Sequence, residues 1–164
     1  MGVYGAPGNH EYYSGYGSWI PFFEKNGIRM LQNQSVKLPN GVYLAGITDR
    51  TAKRLKREYP DPEKAAKGIK KTDCSILLSH NPEEAYRAYH FFDLQLSGHT
   101  HGGMVWGMDY LVKKMNGNLV SGLYQIGDMK LYLTNGTCIW SGFPIRFGRP
   151  SEIALITLSR EKQN

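Results

Sequence analysis

Leu96-Ser97-Gly98-His99-Thr100-His101-Gly102-Gly103 decides how this chain is read: two histidines one residue apart, boxed in by glycines, at the end of a short run from Asp93. On a helix, residues i and i+2 do not share a face, so a His-x-His pair aims both imidazoles at neighbouring points only from an extended or tightly turned backbone. Gly98, Gly102 and Gly103 supply φ > 0 and close backbone approach. The pattern predicts a strand over Asp93 to Ser97 that delivers His99 and His101 into a metal site at its carboxyl end.

Two other stretches have the same grammar. Cys74 to Ser79 is a short apolar run bounded by polar residues, the mark of a buried strand in an α/β sheet, and it ends at His80. Asn81-Pro82-Glu83-Glu84 then opens a helix through Tyr89, with Asn81 as cap, Pro82 in the first turn and Glu84 placed for a capping box. Near the start, a strand over Val3 to Ala6 breaks at Pro7-Gly8 into Asn9-His10-Glu11. Ligand sites in open α/β sheets favour the carboxyl edge of the strands, and three candidate groups fall there.

The remaining elements frame these three. Ser18 caps a helix carrying Trp19, Ile20, Phe22 and Phe23 to a stop at Gly27. Ile28 to Leu31 is strand-like, and Ser35 to Leu38 and Val42 to Ile47 form a hairpin around Pro39-Asn40-Gly41. Asp49 follows at a strand end, as a cap or as a group facing the site. Asp61-Pro62-Glu63 opens a helix to about Lys71. Residues 104–118 read as a loop, 121–126 and 130–134 as a second hairpin, and Glu152 to Leu158 as a final strand.

A length of 164 residues suits one domain spanning 1–164. No apolar run approaches the ~20 residues that span a bilayer, and residues 1–9 hold no charged segment followed by an apolar one. Cys74 and Cys138 make no disulfide framework and read as small buried hydrophobes, favouring a reducing compartment. The net charge of +6 points to an anionic substrate, surface or partner. Much of it lies in Lys53-Arg54-Leu55-Lys56-Arg57, which reads first as a solvated face and second as phosphate steering.

Gly8-Asn9-His10-Glu11, Ser79-His80-Asn81-Pro82 and Ser97-Gly98-His99-Thr100-His101-Gly102-Gly103, in that order, resemble the later motifs of the calcineurin-like metallophosphoesterases. With Tyr12-Tyr13 and Pro144-Ile145-Arg146-Phe147-Gly148 added, the chain resembles the branch that includes the YaeI and YkuE phosphodiesterases and membrane-tethered relatives. The resemblance implies an α/β-β/α sandwich, two mixed sheets flanked by helices, here without its first strands. It implies a binuclear centre of two divalent ions, Mn²⁺, Fe or Zn²⁺, bridged by a hydroxide that attacks phosphorus in a phosphodiester or pyrophosphate. Carried over residue by residue, Asn9, His80 and His99 would ligate one ion and His101 the other. His10 would be the catalytic acid for the leaving group. Substrate-binding residues are not identified.

The same family carries an upstream Asp-x-His and Gly-Asp-x-x-Asp, which supply the second ion and bridge both; neither occurs here, and Gly127-Asp128 reads as a turn. The expectation is therefore an N-terminally incomplete domain, little or no activity in this chain alone, and a place in the cytoplasm or peripheral to a membrane. The longer protein would carry an N-terminal anchor and meet an anionic membrane surface; nucleic acid is disfavoured as a partner. A second reading is a non-catalytic remnant that serves as a basic metal- or polyanion-binding module. Lone His90 reads as structural. Tyr12 and Tyr13 read as packing ahead of cleft lining, and Arg146 as structural ahead of phosphate contact.

Overall fold

Residues 2–140, 142 and 144–159 are described by a computed structural model. Strand β1 (Val3–Gly5) pairs in parallel with β2 (Ile28–Met30) to form a small sheet. Helices α1 (Asn9–Ser14) and α2 (Tyr16–Lys25) connect them and bury Tyr12, Tyr16 and Ile20 against Met30 and Ala52. The helix expected to start from a Ser18 cap is α2, which begins earlier, at Tyr16, and leaves Ser18 inside it; α1 precedes it, and Gly15, at φ 109, ends the one and begins the other. Glycine takes that backbone without steric cost.

The larger sheet contains β3 (Gln34–Lys37), β4 (Tyr43–Gly46), β5 (Ser75–Leu78), β6 (Leu94–Ser97), β7 (Gly122–Ile126) and β8 (Met129–Leu133) in the order β3-β4-β5-β6-β8-β7. The four central strands are parallel, and β3 and β7 run antiparallel at the two edges. Both hairpins form as read. Leu77, Leu131 and Leu133 pack with Ala65 of α3 (Pro62–Ala65), Ala85 and Ala88 of α4 (Ala85–Ala88), and Leu119. This mixed α/β arrangement is the expected class, with the parallel strands pointing their carboxyl ends at one edge.

Several expectations change. Asp61 caps α3, its Oδ1 accepting from the Lys64 N–H at 2.9 Å, but the helix ends at Ala65 and turns lead to Gly68 at φ 89. Asn81 caps as expected, accepting from the Glu83 N–H at 2.9 Å, but the helix begins as a 3-10 turn over Pro82–Glu84. Glu84 closes no capping box; its side chain is 1% exposed and is drawn instead to Arg50 at 2.5 Å and Arg87 at 2.8 Å. Residues 104–118 contain α5 (Asp109–Met115), none of which is buried, so no apolar period marks it. Residues 152–158 form no strand, because the nearby β6 and β8 already have neighbours on both sides. Cys74 and Cys138 are exposed rather than buried, Cys74 lying one residue before its strand starts.

Candidate metal centre

Parallel neighbours β5 and β6 place Leu78 opposite Leu96, so the histidines that follow the two strands emerge side by side. The Gly98 N–H donates to the His80 carbonyl at 3.2 Å and fixes the pair of strand exits. His99 Nδ1 then lies 3.2 Å from His80 Nε2, with the rings crossed at 77°. From the small sheet, the turn after β1 brings Asn9 Oδ1 to 2.8 Å from the same His80 nitrogen. That approach requires Gly8, where a Cβ would stand 2.8 Å from Cγ of the His80 ring. The Gly8 N–H donates to Glu11 Oε2 at 2.7 Å and anchors the start of α1.

One oxygen and two nitrogens therefore gather at separations of 2.8 and 3.2 Å. Two ligands bound at right angles to a divalent cation, with bonds of ~2.1 Å, stand roughly 3 Å apart, so spacing and donor chemistry both fit such a cation. Among the described residues, no three His, Cys, Asp or Glu side chains form a set able to hold an ion by themselves. The trio depends on the Asn9 amide. His101 stands apart, its Nδ1 3.4 Å from the Cys138 carbonyl oxygen.

The flanking glycines do not take all the left-handed backbone. His99 (φ 75) and His101 (φ 51) themselves adopt it, followed by Gly102, Gly103 and Met104, whereas Gly98 does not. Such a conformation costs a non-glycine residue of order 1 kcal/mol and survives only where surroundings over-determine it. Here the Thr100 hydroxyl donates to the Val120 carbonyl at 2.7 Å and the Gly103 N–H to the Thr100 carbonyl at 2.9 Å.

Burial, reinforced by His99, pushes the His80 imidazole down to about 4, so it is neutral at pH 7 with one ring nitrogen's lone pair available. Burial also lowers His99 and His101. Asp49 opposes the shift at both His80 and His99. Asp49 is buried and accepts from the Thr51 N–H at 2.8 Å, which is the cap considered for it.

A cavity of about 210 Å³ opens over this group, and Asn9, His10, His80, His99 and His101 all reach its wall. His10 is exposed, its ring 5.8 Å from that of Tyr13. Met104, Trp140, and Val112 and Asn116 from the α5 segment also line the cavity. Sequence reasoning missed these, since α5 buries no residue and no apolar period marks it. Arg146 donates to the carbonyls of Asn135 at 2.7 Å, Cys138 and His101 and so clamps the backbone beside the His-x-His turn. Tyr12 is core and Tyr13 exposed; His90 lies on the surface with its ring 3.7 Å from that of Tyr89.

Residues 1–103 match the family model described as calcineurin-like phosphoesterase. The chain is 36% identical to an uncharacterized metallophosphoesterase of Helicobacter pylori, over 99% of this chain and 44% of that protein. It is 30% identical to an uncharacterized metallophosphoesterase of Aquifex aeolicus, over 96% and 61% respectively. A transmembrane protein with metallophosphoesterase domain from Danio rerio is 35% identical over 98% of this chain and 39% of that protein. The chain thus spans about half the length of these curated relatives. No solved structure gives a significant match.

Proposed function

The chain belongs to the calcineurin-like phosphoesterase family, and on that premise we propose that Asn9, His80 and His99 hold one divalent cation of a phosphodiester- or pyrophosphate-hydrolysing site, Mn²⁺, Fe or Zn²⁺, with His101 serving a second. The observation that carries this is the gathering of Asn9 Oδ1, His80 Nε2 and His99 Nδ1 at 2.8 and 3.2 Å. When bound, two such cations supply a hydroxide nucleophile at neutral pH and polarise the phosphoryl group.

The chain's own residues do the rest. Gly8 lets the Asn9 backbone close on His80. Asp49 stabilises positive charge at the histidine pair. His10, on the cavity wall beside Asn9, is placed to give a proton to the departing ester oxygen. Among the described residues His101 Nδ1 has the Cys138 carbonyl as its hydrogen-bond partner, and the Asp-x-His and Gly-Asp-x-x-Asp motifs that would complete a second ion's ligands do not occur in the sequence. The chain alone accordingly hydrolyses phosphodiesters feebly or not at all. The polyanion-binding alternative is less well supported, because Arg54 and Arg57 lie over the rings of Tyr13 and Tyr16, at 5.7 and 4.4 Å. The name of the zebrafish relative supports a membrane context for this reading.

Mn²⁺ titration followed by electron paramagnetic resonance tests the reading. One ion per chain should bind, and His99→Ala should abolish it. Salt-sensitive heparin binding that ignores chelator, without stoichiometric Mn²⁺ uptake, would favour the interaction module. Hydrolysis of bis-p-nitrophenyl phosphate at an enzymatic rate, lost in His99→Ala, would overturn the claim of feeble activity.

A further inference from the structure

Helix α5 and the segments beside it carry an exposed apolar rim used neither by the core nor by the proposed chemistry. On α5, Tyr110 and Leu111 face water and Met115 is 72% exposed. Trp106 (75% exposed) and Phe147 (67%) belong to two segments joined by a parallel bridge, the Trp106 N–H donating to the Phe147 carbonyl at 2.9 Å. Isolated exposed apolar residues are ordinary; five large ones on adjoining segments mark an interaction surface.

The rim is fastened to the site. A Cβ on Gly103, at the end of the His-Thr-His-Gly-Gly turn, would stand 2.5 Å from Cα of Asp109, so the start of α5 rests on that turn. Arg149 pairs with Asp109 and ties down the second segment. Val112, on the same helix, lines the cavity.

Charge and shape select the occupant. Asp109 is neutralised by Arg149, while Lys113 and Lys114 close the helix, Lys114 Nζ lying 4.6 Å from the Tyr110 ring centre. Tryptophan and tyrosine mixed with aliphatic side chains and flanked by lysine suit the boundary between headgroups and acyl chains. Side chains with two thirds or more of their surface in water stand proud, which suits insertion among lipids better than cover by a flat protein face. A protein of net charge +6 is further drawn to an anionic leaflet.

We propose that the α5 rim docks this protein on an anionic lipid bilayer. The proposal takes up the membrane context of the preceding reading and assigns it a surface. Its test reads binding alone, in chelator and with no turnover measured, so it fails or stands independently of metal binding and hydrolysis.

The purified chain is mixed with phosphatidylcholine vesicles with and without phosphatidylglycerol, and binding is read by co-sedimentation and tryptophan fluorescence. Binding should require the anionic lipid and shift the emission to the blue. The triple variant Trp106→Ser, Leu111→Ser, Phe147→Ser should weaken it about tenfold or more. Lys113→Glu with Lys114→Glu should weaken it chiefly at low salt. Circular dichroism establishes that the variants are folded. The proposal is overturned if folded wild type ignores anionic vesicles, if the triple variant binds as well as wild type, or if ultracentrifugation shows that the rim instead joins two copies of the chain.

Discussion

Gly8→Ala tests whether backbone closeness, and not only the identity of the donors, builds the centre. The added methyl would meet three atoms of the His80 ring at 2.8 to 2.9 Å, where ordinary contact begins near 3.4 Å. Gly8 has φ −104 and ψ −179, an extended backbone that alanine adopts freely, so the effect is steric alone. Overpacking of this kind costs about 1–3 kcal/mol, offset by about 0.4–1 kcal/mol because alanine restricts the unfolded chain. A net loss of about 1–2 kcal/mol follows, which lowers Tm by roughly 2–8 °C in a domain of this size. Relief by moving the ring about 0.5 Å would break the spacing to Asn9 and His99, and a displaced ligand of this sort weakens metal binding about 10–100-fold. The assays are thermal denaturation in chelator, Mn²⁺ titration, and the NMR shifts of the His80 imidazole. Gly17→Ala is the control, since nothing lies within 4 Å of its Cβ and it sits inside α2; it should be neutral or slightly stabilising. A Gly8→Ala protein with unchanged Tm, metal affinity and His80 shifts would refute the reasoning.

Two further outcomes are expected. Glu84→Gln removes the carboxylate held between Arg50 and Arg87; both guanidinium groups still reach solvent, so urea denaturation should show a loss of about 2–3 kcal/mol, below the full value for breaking a buried pair. In chelator, stability should fall as pH drops from 6.5 towards 4. His80 has an ordinary value of 6.5 when unfolded and about 4 when folded, so in that window the unfolded chain takes up a proton that the folded one refuses. The loss is nil above the window and at most about 3 kcal/mol below it, and His80→Asn should flatten the urea midpoint against pH.

The strand ends were legible because each is a local event: an apolar run stops, a proline, glycine or cap follows, and a histidine or asparagine stands at the boundary. Parallel pairing then follows from burial on both faces of the sheet. That is why His80, His99 and Asn9 could be placed at one edge from composition and order. Glu84, by contrast, has the right spacing for a capping box, yet the structure spends its carboxylate on Arg50, 34 residues away, a contact that local spacing does not encode. Residues 152–158 alternate like a strand, but a strand exists only where a neighbour has an edge to offer, and β6 and β8 have none. Helix α5 escaped notice because it buries nothing, so its sequence lacks the period that burial imposes.

By itself the sequence determined the family, the α/β class and the identity of the candidate donors, since those depend on residue types at fixed offsets within short segments. Only tertiary structure decided that three donors from two sheets meet within 3.2 Å while His101 turns away towards Cys138. It also decided that the histidines, not only their glycines, carry the left-handed backbone. Those outcomes depend on the close approach of Gly8, which follows β1, to the His80 ring, which follows β5, and on hydrogen bonds from Thr100 and Gly103. Distances between segments remote in the chain are fixed by packing, and no spacing along the sequence specifies them.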